Sequence, residues 1–306
     1  MATRLSNDYM TCIIADNTTY GAQQTNLSGA LVMTDVVTEL KYAPIITDTK
    51  VKTGTLKPKN TEKIVTGTKA QVTIKGNLCS GYDLLIKALT MDSSSPYTIQ
   101  DTQPAGFTYN IYKLFIAGTD TYDLATGCVL VDFTITGESN GILQFESTWE
   151  AKAMSRAITT SITNAPSAYT AGTPFLFGNV TNTLFNSATK MNSFSMKFSK
   201  TMADDKTAFQ NSMTKTAEYV YAVNGTIDVE TIYNDANDPA LEAAVGSQTP
   251  VTNTINLVNS SATWAFVCRC RIADFNLPDN DKGLFNGSYS LELAGDATEP
   301  LTVTVS

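Results

Sequence analysis

Apolar and polar residues alternate along Cys128 to Ala153, CVLVDFTITGESNGILQFESTWEAKA. Val129, Val131, Phe133 and Ile135 share one side. After Asn140-Gly141 that side continues through Leu143, Phe145 and Trp149. Ile142, Gln144, Glu146, Thr148 and Glu150 take the other side of the return strand. A period of two with β-branched and aromatic residues predicts half-buried strands, here an antiparallel hairpin with one dry and one wet face. Asn-Gly is a strong hairpin turn because both residues tolerate positive φ.

The chain repeats this stretch. Shifted forward without a gap, it lies on Cys270 to Gly295, CRIADFNLPDNDKGLFNGSYSLELAG. Cys128 meets Cys270, Asp132 meets Asp274, Phe133 meets Phe275, Gly141 meets Gly283 and Glu150 meets Glu292. Phe285, Tyr289, Leu291 and Leu293 form the second dry return strand, and Asn286, Ser288, Ser290 and Glu292 its wet side. A gapless match of this length predicts an internal duplication.

The remaining segments fit two copies of one unit. Ser80–Met91, SGYDLLIKALTM, predicts a helix with Ser80 as cap and Leu84, Leu85, Ala88 and Leu89 facing inward. Asp238 to Val245 predicts a counterpart, with Pro239 in the first helical position and Leu241, Ala244 and Val245 inward. Each follows a strand, Gln71–Gly76 or Tyr219–Gly225, which aligns Gly76 with Gly225. Met191–Lys200, MNSFSMKFSK, alternates cleanly and opens the second core. The expected domains are residues 1–155 and 156–306. Residues 1–40 read as an arm with a short strand near Leu31–Val37. Residues 47–75 read as a long basic hairpin with strands near Val51–Leu56 and Ala70–Ile74, and residues 156–190, rich in Ser, Thr, Asn, Pro and Gly, as a linker. Linker composition is strongest at its front; Phe175, Leu176, Phe177, Leu184 and Phe185 are apolar enough to pack.

Composition narrows the chemistry. The 306 residues have room for two domains, and a 42% apolar fraction suffices for their cores. There is no histidine, which removes the commonest general base and metal ligand. Cys12, Cys79, Cys128, Cys268 and Cys270 contain no C-x-x-C spacing. They read as small reduced residues, and their odd number points to a reducing compartment. The net charge of −8 argues against a dedicated nucleic-acid binder. Against that background, residues 47–75 carry Lys50, Lys52, Lys57, Lys59, Lys63, Lys69 and Lys75 with only Asp48 and Glu62. The bland reading is a solvated loop; the sharper one is a basic arm that docks on an acidic neighbour. No basic-then-apolar leader and no membrane-length run are present.

Other motifs are weak. Asp279-x-Asp281-x-Gly283 lacks the later Glu of a calcium loop and reads as a turn. Asp204-Asp205 reads as solvated surface, and no phosphate loop or nucleophile elbow occurs. Trp149 and Trp264 could stack sugars, though Trp149 is on the dry face. No catalytic residue, metal ligand or cofactor site is expected.

The repeated C-x3-D-F-x7-G-[IL] hairpin, the helices that follow V-T-I-K-G-N-L and V-N-G-T-I, and the segment KTGTLKPKNTEK resemble the tail tube proteins of long-tailed bacteriophages, in the form with two fused tube domains. The resemblance covers roughly residues 40–306. It implies a mainly β chain: two duplicated domains, each of two packed antiparallel sheets (a sandwich or partial barrel) with one flanking helix and a long loop. It further implies subunits joined edge to edge into rings, three chains in a pseudo-sixfold ring, stacked into a tube. Glu146, Glu150 and Glu292 would then face a lumen that repels duplex DNA, with Lys152 among its few cations. Lys50, Lys52, Lys57, Lys59 and Lys63 would contact the next ring. The implied partners are the chain itself, a tape measure protein, a tail terminator, tail-tip proteins and DNA in transit, with no membrane. The protein would be made in the host cytoplasm and end in the virion tail. Another virion part (tail tip, decoration or fibre), a glycan-binding β-sandwich and, last, a hydrolase remain as alternatives.

Overall fold

The computed structural model describes residues 10–17, 19–34, 36–48, 63–100, 107–115, 121–158, 162, 172–185, 191–202, 220–232, 238–247, 249–276, 286–295 and 299–306. Its first half contains β1 (Met10–Asn17), β2 (Leu31–Met33), β3 (Val37–Asp48), β4 (Lys63–Asn77), α1 (Asp83–Thr90), β5 (Tyr97–Thr98), β6 (Thr108–Phe115), β7 (Thr121–Glu138), β8 (Gln144–Ala151) and β9 (Ala153–Ile158). The second half contains β10 (Val180–Asn182), β11 (Met191–Met202), β12 (Val220–Ile232), α2 (Asp238–Ala243), β13 (Val251–Val258), β14 (Thr263–Asn276), β15 (Asn286–Leu293) and β16 (Leu301–Val305). The chain is mainly β. All strand pairs are antiparallel and hydrogen-bond into one large sheet that is not closed into a barrel.

The same ladder occurs in both halves. In the first, the strand order is β3-β4-β8-β7; in the second it is β11-β12-β15-β14. The registers correspond pair by pair. Leu130–Trp149 and Asp132–Thr148 in one ladder have the places of Ile272–Leu291 and Asp274–Ser290 in the other. Both hairpins slip by one residue at that point, in β7 and in β14. A second shared irregularity lies between Ile45 and Ile46 in β3 and between Thr201 and Met202 in β11. Bulges re-aim a strand and are fixed features of a fold, so two at matching positions are a stringent likeness. The ladder also corrects the alignment of Gly76 with Gly225. Gly76 is opposite Phe145, and the residue in that place of the second ladder is Thr231, opposite Gly287.

The first bulge corrects the dry face of the first hairpin. The slip puts Leu130, not Val131, opposite Trp149; Leu130 is buried and Val131 half-buried. The turn is wider than a two-residue Asn-Gly hairpin, since β7 ends at Glu138 and β8 begins at Gln144. Only Asn140 has positive φ there, at 63°.

Long strands carry the chain between two layers. The N-terminal part of β7 pairs with β6 and β9, and its C-terminal part with β8. Likewise β14 pairs with β13 and β16 before it meets β15. The dry side of the ladders packs on these second-layer strands. Trp149 of β8 meets Tyr109 of β6 edge-on at 5.4 Å, and Phe198 of β11 stacks on Phe266 of β14 at 6.4 Å. One core cluster runs through both halves. Gly137 shows how tightly it is filled. A Cβ there would come within 2.5 Å of Leu143 and 2.8 Å of Phe194. Overpacking of this kind costs roughly 1–3 kcal/mol, so Gly137→Ala is expected to lower the urea midpoint with little change in slope.

Several expected elements are placed differently. The arm at residues 1–40 contains β1, whose Cys12 to Ala15 are buried, paired with β6 and β2. The long hairpin contains β3 and β4, and the expected Ala70–Ile74 strand falls within β4; the expected Val51–Leu56 strand lies outside the described residues. The linker is only partly a linker. It contains β10, and Phe175, Phe177, Val180 and Phe185 are buried while Leu176 is exposed. Ser80 does not cap α1, whose N-cap is Tyr82. The Ser80 hydroxyl instead accepts the Thr173 N–H at 3.0 Å. Ile86, absent from the expected face, is fully buried in α1. Beyond α2, Val245 is exposed rather than inward.

Candidate functional site

The surface that stands out is the wet side of the eight strands β3-β4-β8-β7-β11-β12-β15-β14. The two ladders join through β7 and β11, from Asp132–Ser199 to Glu138–Ser193. Paired residues point to the same side of a sheet. The wet side therefore passes through the seam without a break, as Glu146, Thr134, Lys197 and Thr226 on successive strands. Directly beneath, Phe145, Ile135, Met196 and Ile227 are buried. This face follows from the alternation itself, because a one-residue shift would exchange all polar and apolar positions.

Carboxylates dominate it. Among the side chains described, Glu39, Asp132, Glu138, Glu146, Glu150, Asp228, Glu230, Asp274 and Glu292 lie on this side, against Lys41, Lys75, Lys197 and Arg271. Two of the lysines are matched locally. Lys75 Nζ is 3.0 Å from Glu146, and Lys41 Nζ is 3.2 Å from Glu39. Serine hydroxyls meet two carboxylates across strands: Ser290 donates to Asp228 at 2.6 Å and Ser193 to Glu230 at 3.1 Å. Near the β7–β11 seam the face dips into a cleft of about 430 Å³ lined by Glu138, Asp228, Glu230 and Asp274. Among the described residues, no group of three or more His, Cys, Asp or Glu is placed to hold a metal ion. The acidic face carries excess negative charge into solvent, where it repels polyanions.

Glu146, Glu150 and Glu292 are on this face together. Lys152 is not; it turns over the Tyr20 ring, 4.9 Å from its centroid. The acidic run Asp228-Val229-Glu230 lies past Gly225, where the expected strand ends; β12 continues through it to Ile232, in keeping with its alternation. Of the basic segment, Lys50, Lys52, Lys57 and Lys59 lie outside the described residues, and Lys63 opens β4. Asp204, Asp205, Asp279 and Asp281 also lie outside them.

The cysteines are free thiols, four of them buried. Cys268 and Cys270 share the dry side of β14, and burial pushes the Cys270 thiol up to about 11. A thiol held neutral is a poor nucleophile. Trp149 and Trp264 are buried, which removes both from any exposed sugar platform. Among the described residues no helix is long and apolar enough to cross a membrane.

The face ends at two strand edges. Among the described residues β3 pairs only with β4 along Val37–Asp48, and Asp274–Asn276 of β14 only with β15. Among the described residues, Val37 and Tyr42 on β3 are the most exposed large apolar side chains, at 70% and 52%. No family model matches the chain, and no curated protein matches it.

Proposed function

We propose that this chain is a structural virion protein that assembles with itself into stacked rings, three chains to a ring, and so forms the hollow tail tube of a long-tailed bacteriophage. The observation that carries the reading is the acid-rich wet face that runs unbroken through both ladders and stops at two unpaired edges. An exposed sheet edge is a liability in a monomer, and closure into a ring pairs all of them. A face of excess carboxylates then lines a channel through which duplex DNA slides without being held. The repeated ladder supports an internal duplication, with each chain supplying two of six pseudo-equivalent sectors. The partners on this reading are further copies, a tape measure protein, a tail terminator and tail-tip proteins, in the virion tail after synthesis in the host cytoplasm.

Negative-stain electron microscopy of the purified chain across a concentration series tests this. Threefold rings or hollow tubes are the expected result. Particles that stay monomeric at every concentration, with crowding polymer added, count against the reading. The basic segment supplies the contact between rings in this proposal. Charge reversal at Lys57, Lys59 and Lys63 should then leave single rings where the parent forms tubes; tubes of unchanged length would remove that role.

A further inference from the structure

The internal seam is a template for a contact that the isolated chain does not make. In it, Ser199, Phe198 and Lys197 of β11 are opposite Asp132, Phe133 and Thr134 of β7. The matching ladder registers give each of these a counterpart. Ala43, Tyr42 and Lys41 of β3 stand where Ser199, Phe198 and Lys197 stand, and Asp274, Phe275 and Asn276 of β14 where Asp132, Phe133 and Thr134 stand. Four of the six positions agree in type, lysine for lysine, aromatic for aromatic twice and aspartate for aspartate; Ala43 stands for Ser199 and Asn276 for Thr134.

Burial distinguishes the two sets. Phe198 and Phe133 are both 0% exposed, and Phe198 stacks on Phe266 of the second layer. Tyr42 is 52% exposed, and Phe275, stacked on Tyr289 at 4.6 Å, is only half-buried. An aromatic left open on one edge and its mate left open on the other fit each other, not the chain that carries them. We propose that β3 of one copy pairs antiparallel with β14 of a second copy, with Ala43 opposite Asp274, Tyr42 opposite Phe275 and Lys41 opposite Asn276. The occupant is a second copy because the required surface already exists, in register, at the other end of the same sheet. The contact is head-to-tail, so an open row of copies keeps one free edge at each of its two ends until a ring closes. The proposal rests on the ring reading and adds its strands and register.

The internal seam has contacts between the two halves beyond its ladder. Inside the chain, β5 reaches from the first half to the second and pairs with β16, Tyr97 opposite Val303. The Ser95 hydroxyl meets the Val305 backbone as well. This clasp is built from the stretch between α1 and β6. The stretch between α2 and β13, Ala244–Pro250, contains no strand among its described residues. The seam between copies therefore depends on the β3–β14 ladder and its aromatic pair.

Paired cysteines test the register in the full chain. In a Cys79→Ser background, Lys41→Cys with Asn276→Cys is expected to yield oxidised dimers and trimers whose cross-linked peptide joins these two positions. Glu39→Cys with Asp274→Cys is four residues out of register, roughly 14 Å along the strand, beyond the reach of a disulfide at about 7 Å, and should yield none. Tyr42→Asp should leave the chain monomeric on native mass spectrometry, with its thermal midpoint within about 2 °C of the parent, since that side chain is half in water already. Rings that form without the 41–276 cross-link, or that persist in Tyr42→Asp, overturn the seam and leave the ring reading standing. A parent chain that never assembles overturns both.

Discussion

Trp149→Ala is expected to remove roughly 3–5 kcal/mol of folding stability, the range for truncating a fully buried large aromatic. Trp149 is 0% exposed. Its ring packs edge-on against Tyr109, and its Nε1–H donates to the Ser147 hydroxyl at 3.0 Å. Two costs therefore add. The cavity opens between the layers, where backbone ladders on both sides resist collapse, and a buried hydroxyl loses its donor. Urea unfolding followed by far-ultraviolet circular dichroism measures it. A loss below about 1 kcal/mol would mean that the layers close over the gap, contrary to the packing described.

Lys200→Met is expected to act in the opposite direction and to depend on pH. Lys200 is buried in β11, where its Nζ donates to the Ala88 carbonyl of α1 at 2.5 Å. Burial lowers its pKa from 10.5 to about 7. Below about 7 the amine is charged in both folded and unfolded chains, and the full cost of burying a cation is present. Between about 7 and 10.5 the unfolded chain binds the proton and the folded chain does not, so stability rises with pH. At about 1.36 kcal/mol per pKa unit, the rise amounts to a few kcal/mol, reduced by the favourable placement of a cation near the C-terminal turn of α1. Methionine keeps the stem and discards the charge. The variant should be more stable than the parent near neutrality, and the gap should narrow from pH 7 to pH 10. Parallel stability curves across that range would show that Lys200 remains charged through a contact with water.

Both residues also show what could be read from the chain beforehand. Trp149 on the dry face was legible, because period two assigns a side without any knowledge of what covers it. Lys200 was legible only as the end of an alternating strand. Nothing in MNSFSMKFSK says that this lysine will lie under α1 of the other half, since the contact spans more than a hundred residues. The acidic face was legible in part. Glu146, Glu150 and Glu292 follow from the two return strands, whereas Asp228 and Glu230 belong to a strand that continues past the glycine taken as its end. Around Gly172–Phe185 the sequence shows aromatics able to pack beside turn residues but not where they go, and in the structure Phe175, Phe177 and Phe185 anchor that stretch in the core. Local composition reports what the backbone can do, and burial of three aromatics decides what it does.

Alone, the sequence determined a β-rich chain, its repeated hairpin, the side of each strand that avoids water, and the absence of histidine chemistry. Those properties are local or periodic, and alternation carries them at a separation of two residues. Tertiary structure decided which strands are neighbours, where the ladders slip, and which edges remain open. Hydrogen bonding between strands is blind to side-chain identity along most of its length, so many pairings satisfy one alternating pattern. The choice falls to long-range packing, such as Phe198 of β11 on Phe266 of β14, while Tyr42 and Phe275, exposed and half-buried, stand at the two edges of the repeated ladder.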